Sequence, residues 1–130
     1  MEFEPPDIIP TQSITFARNI TTNVDQYLGV NGGVATVGGN TVGIVGVVAV
    51  PSWLYAVTWQ TGKSTQFVFE VNGEDKRTLF LNQRDSRVWY GEVDRRIIKL
   101  KPGDEIRIQF RRLLEAPGVS VLTVHLAEDY

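Results

Sequence analysis

The sequence predicts an all-β fold: an antiparallel β-sandwich of the jelly-roll type, with about eight strands and an extended N-terminal arm. Three observations predict it. Apolar and polar residues alternate with a period of two through much of the chain after Ser13. Turn signals at Gly62-Lys63, Asn72-Gly73, Lys101-Pro102-Gly103-Asp104 and Glu115-Ala116-Pro117-Gly118 punctuate that alternation at strand-length intervals. No stretch carries the repeat of an amphipathic helix. The 130 residues fit one domain, read as an arm over 1–12 and a sandwich over 13–130.

The arm "MEFEPPDIIPTQ" is acidic and holds Pro5, Pro6 and Pro10. Proline fixes φ and removes a donor, so the arm is expected to be extended and outside any central strand. "SITFARNI" alternates and reads as the first strand, and "QYLGV" as a short second one. "NGGVATVGGN" is a glycine-rich connection with a short strand at its centre. "TVGIVGVVAVPS" is apolar on both parities, as in a strand covered on both faces. "WLYAVTWQT" places Trp53, Tyr55, Val57 and Trp59 on one face and Leu54, Ala56, Thr58 and Gln60 on the other.

"TQFVFEV" sends Phe67, Phe69 and Val71 to the core, with Gln66 and Glu70 outward. Asn72-Gly73 then predicts a type I′ hairpin turn, in which both central residues need positive φ, and "RTLFLN" returns. In "QRDSRVWYGEVDRR" the run Val88-Trp89-Tyr90-Gly91 argues for loop and strand over helix. "IIKLKPGDEIRIQFRR" is strand, turn, strand, with Ile106, Ile108 and Phe110 alternating with Arg107, Gln109 and Arg111. "VSVLTVHLAE" closes the domain with Leu122, Val124 and Leu126 on one face.

The chemistry-bearing residues are sparse. No cysteine is present, which excludes disulfides, zinc–thiolate sites and thiol nucleophiles. The net charge of −2 calls for neither nucleic acid nor an anionic membrane. The N-terminus lacks the basic start and apolar core of a signal peptide. The apolar run Val42–Val50 is too short to span a bilayer as a helix, so a soluble protein made in a cytoplasm is expected. His125, the lone histidine, falls opposite in parity to Leu122, Val124 and Leu126 and reads as a surface or interface residue. One histidine with scattered carboxylates gives no metal-ligand spacing.

Glu70, Glu74, Asp75, Asp85, Glu92 and Asp94 offer carboxylates without a convergent catalytic pair. "GGVATVGG" lacks the strand, helix and Gly-Lys-Ser/Thr of a phosphate loop. Asn19-Ile20-Thr21 is a glycosylation acceptor by pattern only. Arg95, Arg96, Lys99, Lys101, Arg107, Arg111 and Arg112 are interrupted by acids and read as a solvated face, with inter-subunit salt bridging next. The expectation is a non-enzyme with no catalytic, metal or cofactor residues. What the sequence has in surplus is apolar surface. Leu54, Ala56, Trp89 and Tyr90 need cover once one sandwich face has absorbed Trp53, Tyr55 and Trp59.

The order of parts resembles a family. "ITFARNITTNVDQYLGVNGG" looks like the opening of small phage-encoded jelly-roll domains. "VAVPSWLYAVTWQTGKSTQFVFEVNGE" is similar to their middle, and "IIKLKPGDEIRIQF" to a turn-and-strand pattern shared with tumour-necrosis-factor-like jelly rolls. The resemblance covers residues 14–127 and departs from the family in the charged stretch 83–96.

It implies a structural virion protein: a capsid decoration, or cement, protein on the exterior of a bacteriophage head. The partner implied is the major capsid protein, with self-association as a dimer or trimer and no nucleic acid, membrane or cofactor. Contact residues expected on this basis are Phe3, Ile8 and Ile9 in the arm and the aromatics Trp53, Trp89 and Tyr90. The alternative implied is a glycan-binding knob of a phage fibre or spike.

Overall fold

The computed structural model describes residues 10–37, 40–81, 89–90, 98–112 and 115–128. Twelve strands follow one another along the chain, with no helix among the described residues. They are β1 (Pro10–Ile20), β2 (Gln26–Val30), β3 (Val34–Val37), β4 (Asn40–Gly43), β5 (Gly46–Val47) and β6 (Ser52–Thr61). Then come β7 (Thr65–Val71), β8 (Glu74–Leu81), β9 (Trp89–Tyr90), β10 (Lys99–Leu100), β11 (Glu105–Arg111) and β12 (Gly118–Glu128).

Eight of these form a curled antiparallel path in the order β10-β6-β12-β1-β2-β11-β7-β8. β1 and β2 join by only two register pairs, Phe16 with Val30 and Ala17 with Gly29. The path therefore folds into two leaves, β10-β6-β12-β1 and β2-β11-β7-β8. In chain order, the first of the eight pairs with the last (β1 with β12), and the second with the seventh (β2 with β11). The third pairs with the sixth (β6 with β10) and the fourth with the fifth (β7 with β8). That nesting is one long hairpin rolled over on itself, the jelly-roll topology. β5 adds to β11, β9 adds to β6, and β3 and β4 form a separate hairpin.

Period-two alternation builds the core between the leaves. Ile14 and Phe16 of β1, Phe67 and Phe69 of β7, Ile106, Ile108 and Phe110 of β11, and Leu122, Val124 and Leu126 of β12 all belong to it. Phe67 and Phe110 meet edge-on, with ring centroids 6.2 Å apart, the arrangement that ring quadrupoles favour. The turns follow their residues. Asn72 and Gly73 both have positive φ, 52° and 84°, as the type I′ hairpin requires. Gly103 has φ 90° behind Pro102, and the Asp104 N–H donates to the Lys101 carbonyl at 3.0 Å, which is a type II turn.

Three expectations are corrected. Residues 42–50 are not one strand covered on both faces. β4 ends at Gly43, where a Cβ would stand 2.3 Å from the Leu28 carbonyl oxygen, so two backbones cross in contact. Beyond it only Gly46–Val47 is strand, Val48 is buried, and Ile44, Val47 and Val50 are exposed.

The faces of β6 also change midway. The register skips Tyr55, since Ala56 pairs with His125 while Leu54 pairs with the adjacent Leu126. This bulge puts Leu54 in the core cluster with Val57, and leaves Trp53 outside that cluster. Finally, β1 begins at Pro10, so residues 10–12 belong to the strand and not to the arm. A proline is tolerated at the first position of a strand.

Candidate functional site

The outer face of the β2-β11-β7-β8 leaf gathers the most chemistry. Glu70 lies between the core residues Phe69 and Val71, so the pleat turns it outward, directly across from Arg107 of β11. Gln109 pairs with both Tyr27 of β2 and Val68 of β7. A register shift in β8 brings Asp75 opposite Glu70. The Tyr27 hydroxyl donates to Glu70 Oε1 at 3.2 Å. Arg111 Nη2 lies 3.2 Å from Asp75 Oδ2 and 3.7 Å from Glu70 Oε2, and its Nε donates to Gln109. The Arg107 guanidinium sits over the Tyr27 ring, 5.6 Å from its centroid.

Two turns form the rim. Asn72 Nδ2 donates to Asp104 Oδ1 at 3.0 Å, and Asn72 Oδ1 accepts the Glu105 N–H at 2.9 Å. Asp104 Oδ2 in turn accepts the Lys101 N–H at 2.8 Å. Together Tyr27, Glu70, Asn72, Gly73, Glu105 and Arg107 line a cleft of about 370 Å³.

Electrostatics follow from burial. Glu70 is 3% exposed, and desolvation raises its pKa; Asp75 adds to this, while the Tyr27 hydrogen bond, Arg111 and Arg107 oppose it. The phenol of Tyr27 is raised too, first by burial and then by the charge of Glu70. It stays protonated and donates. Asp104 is lowered by the hydrogen bonds from the Lys101 backbone and the Asn72 amide. The cleft therefore offers an acceptor, a cationic donor and an aromatic ring on a rigid sheet, which is equipment for recognition. Among the described residues no group of three or more His, Asp or Glu side chains could hold a metal ion.

The outer face of the other leaf is organised differently. His125 Nδ1 lies 3.1 Å from Ser13 Oγ, and Nε2 lies 2.9 Å from Thr58 Oγ1. Thr15 and Thr123 hydroxyls meet beside them at 3.0 Å. Burial alone lowers the His125 pKa. This is a cross-strand polar ladder.

The residues expected to make contacts scatter. Phe3, Ile8 and Ile9 lie outside the described residues, as do the side chains of Trp89 and Tyr90, whose backbones pair with Val57 and Ala56 of β6. Trp53 is 5% exposed, too little surface to hold a partner in this conformation. Among the described residues the large exposed apolar side chains are instead Ile44, Val47 and Val50, with Val34, Val24, Phe80 and Val119. Gln12 ties the first group to the start of β1: its Nε2 donates to the Val47 carbonyl at 2.8 Å, and its Oε1 accepts the Ala49 N–H at 3.1 Å.

Sequence reading missed the cleft, although its parts were visible. Glu70, Arg107 and Arg111 each alternate with core residues and so point outward. Only the pairing of β7 with β11 shows that they meet. No protein-family model, curated protein or solved structure matches the chain.

Proposed function

We propose that this chain is a structural virion protein, a capsid decoration protein that seats on the outside of a phage head and bridges major capsid subunits. The observation that carries the reading is the Gln12 clamp. It brings the start of β1, where the arm joins the sandwich, against residues 47–49, next to the exposed Val47 and Val50. The start of β1 and the exposed Val47 therefore lie side by side on a jelly-roll body. The resemblance of the turn and strand motifs to phage jelly-roll proteins supports the same reading.

The mechanism is mechanical. Apolar area removed from water stabilises each contact by about 25 cal/mol per Å². Lost rigid-body freedom offsets much of this at a single site. Self-association as a dimer or trimer multiplies the contacts and strengthens the seating. Co-sedimentation with empty phage heads tests the reading. Saturable binding that Val47→Asp reduces is the expected result. A protein that ignores heads, or whose occupancy Val47→Asp leaves unchanged, would sink it.

A further inference from the structure

The cleft on the β2-β11-β7-β8 leaf contains groups whose hydrogen-bonding capacity the chain uses only in part. The Glu70 side chain is 4% exposed, and its Oε2, 3.7 Å from Arg111 Nη2, accepts no hydrogen bond. A buried carboxylate oxygen in that state wants a donor. Arg107 has the complementary surplus. It lies over the Tyr27 ring and acts on Glu70 through its charge, and its guanidinium makes no hydrogen bond or ion pair among the described residues. The two residues are directly paired across the strands, where side chains of opposite charge normally touch. Here the ion pair of Glu70 is with Arg111 instead, and Glu70 and Arg107 both line the cleft.

We propose that this cleft binds a neutral sugar residue through adjacent hydroxyls, one donating to Glu70 and its neighbour accepting from Arg107. A sugar hydroxyl both donates and accepts, so a pair of them bridges a carboxylate and a guanidinium without adding charge. The lining itself selects neutrality. Glu70 and Glu105 together oppose an anion, while Arg107, with Arg111 beside Glu70, opposes a cation. Tyr27 adds an aromatic wall. Neighbouring groups leave the site open: at Gly73 no atom stands within 4 Å of where a Cβ would be. The Asn72 side chain is held at both ends, by Asp104 and by the Glu105 N–H, so the rim is fixed before any ligand arrives. None of this depends on whether the protein sits on a virion.

The test is a titration of the isotopically labelled protein followed by amide chemical shifts. The probes are the methyl glycosides of glucose, galactose, mannose and N-acetylglucosamine, with glucuronate and inorganic phosphate as anions. Saturable shifts at Glu70, Gly73 and Arg107 with at least one neutral glycoside are expected. Glu70→Gln and Arg107→Met should each weaken that binding about tenfold or more, because each removes a charge-assisted hydrogen bond. Arg107 is only half-buried, so Arg107→Met keeps the test alive if Glu70→Gln folds poorly. Absence of saturable shifts with every neutral glycoside overturns the proposal. So do shifts with the anions alone, or an affinity that Arg107→Met does not change. Binding of both variants to phage heads, if heads are bound, should stay at the wild-type level.

Discussion

The two outer faces of the sandwich treat a buried or half-buried titratable group, His125 on one and Glu70 on the other, in opposite ways. On the β10-β6-β12-β1 leaf, both ring nitrogens of His125 meet hydroxyls, from Ser13 and Thr58. On the other leaf, Glu70 is more deeply buried and keeps an oxygen that accepts no hydrogen bond. The first face is closed: its polar groups satisfy one another across three strands. The second is open, with a carboxylate and a guanidinium facing a common cleft. A fold can hold polar groups on a sheet either as glue or as bait, and hydrogen-bond accounting tells the two apart.

The two faces also tilt stability with pH in opposite senses. Burial holds the folded His125 pKa below its unfolded value. Its contribution is complete above the ordinary histidine range and is lost as pH falls through that range. Burial holds the folded Glu70 pKa above its unfolded value. Stability there is complete below the ordinary glutamate range and declines as pH rises toward the folded value.

The largest effect comes from the layer both faces share. Phe110→Ala should cost about 3–5 kcal/mol in urea unfolding, since its fully buried ring packs on Phe67 between the leaves. Both faces should melt together; separate transitions would break the picture of one core. Next is Asn72→Ala, at about 2–3 kcal/mol, which strains a left-handed position and removes two hydrogen bonds from the cleft rim. Wild-type sugar affinity in this variant would show that the rim does not shape the cleft.

His125→Ala follows at about 1–2 kcal/mol near neutral pH, with two hydroxyls losing their partner. Its unfolding free energy should lose the wild-type decline on acidification from pH 7 to 5, a slope that chemical denaturation at each pH reads directly. The smallest effect sharpens the contrast. In Glu70→Gln the decline on raising pH above the ordinary glutamate range should vanish, while the histidine slope remains. Retention of both slopes would mean that Glu70 titrates alike in the folded and unfolded chain.

Much of the fold was legible because period-two alternation and turn chemistry are local. Phe67, Phe69 and Val71 face the core as read, and Asn72-Gly73 makes the predicted turn with the predicted φ signs. What local pattern could not carry was interruption. Tyr55 reads as an ordinary member of an alternating strand, yet the register passes over it and exchanges Trp53 for Leu54 in the core. The apolar run through Val50 reads as a buried strand because composition cannot show that Gly43 marks a backbone crossing. The cleft was invisible for another reason. Glu70 and Arg107 lie far apart in sequence, and an outward charge on a strand is unremarkable until its cross-strand neighbour is known.

The nested pairing has a consequence for how the protein is made. β12 slots between β1 and β6 and pairs with both. Pro10 finds its register partner in Ala127, almost the whole described chain away. Such distant pairing puts folding of an all-β domain in the range of roughly milliseconds to seconds. While the chain is still growing, β1 and β6 each present a bare edge for want of the final strand, and bare edges recruit other chains. Crowded synthesis of this protein should therefore be at greatest risk of aggregation in the interval before residues 118–128 leave the ribosome.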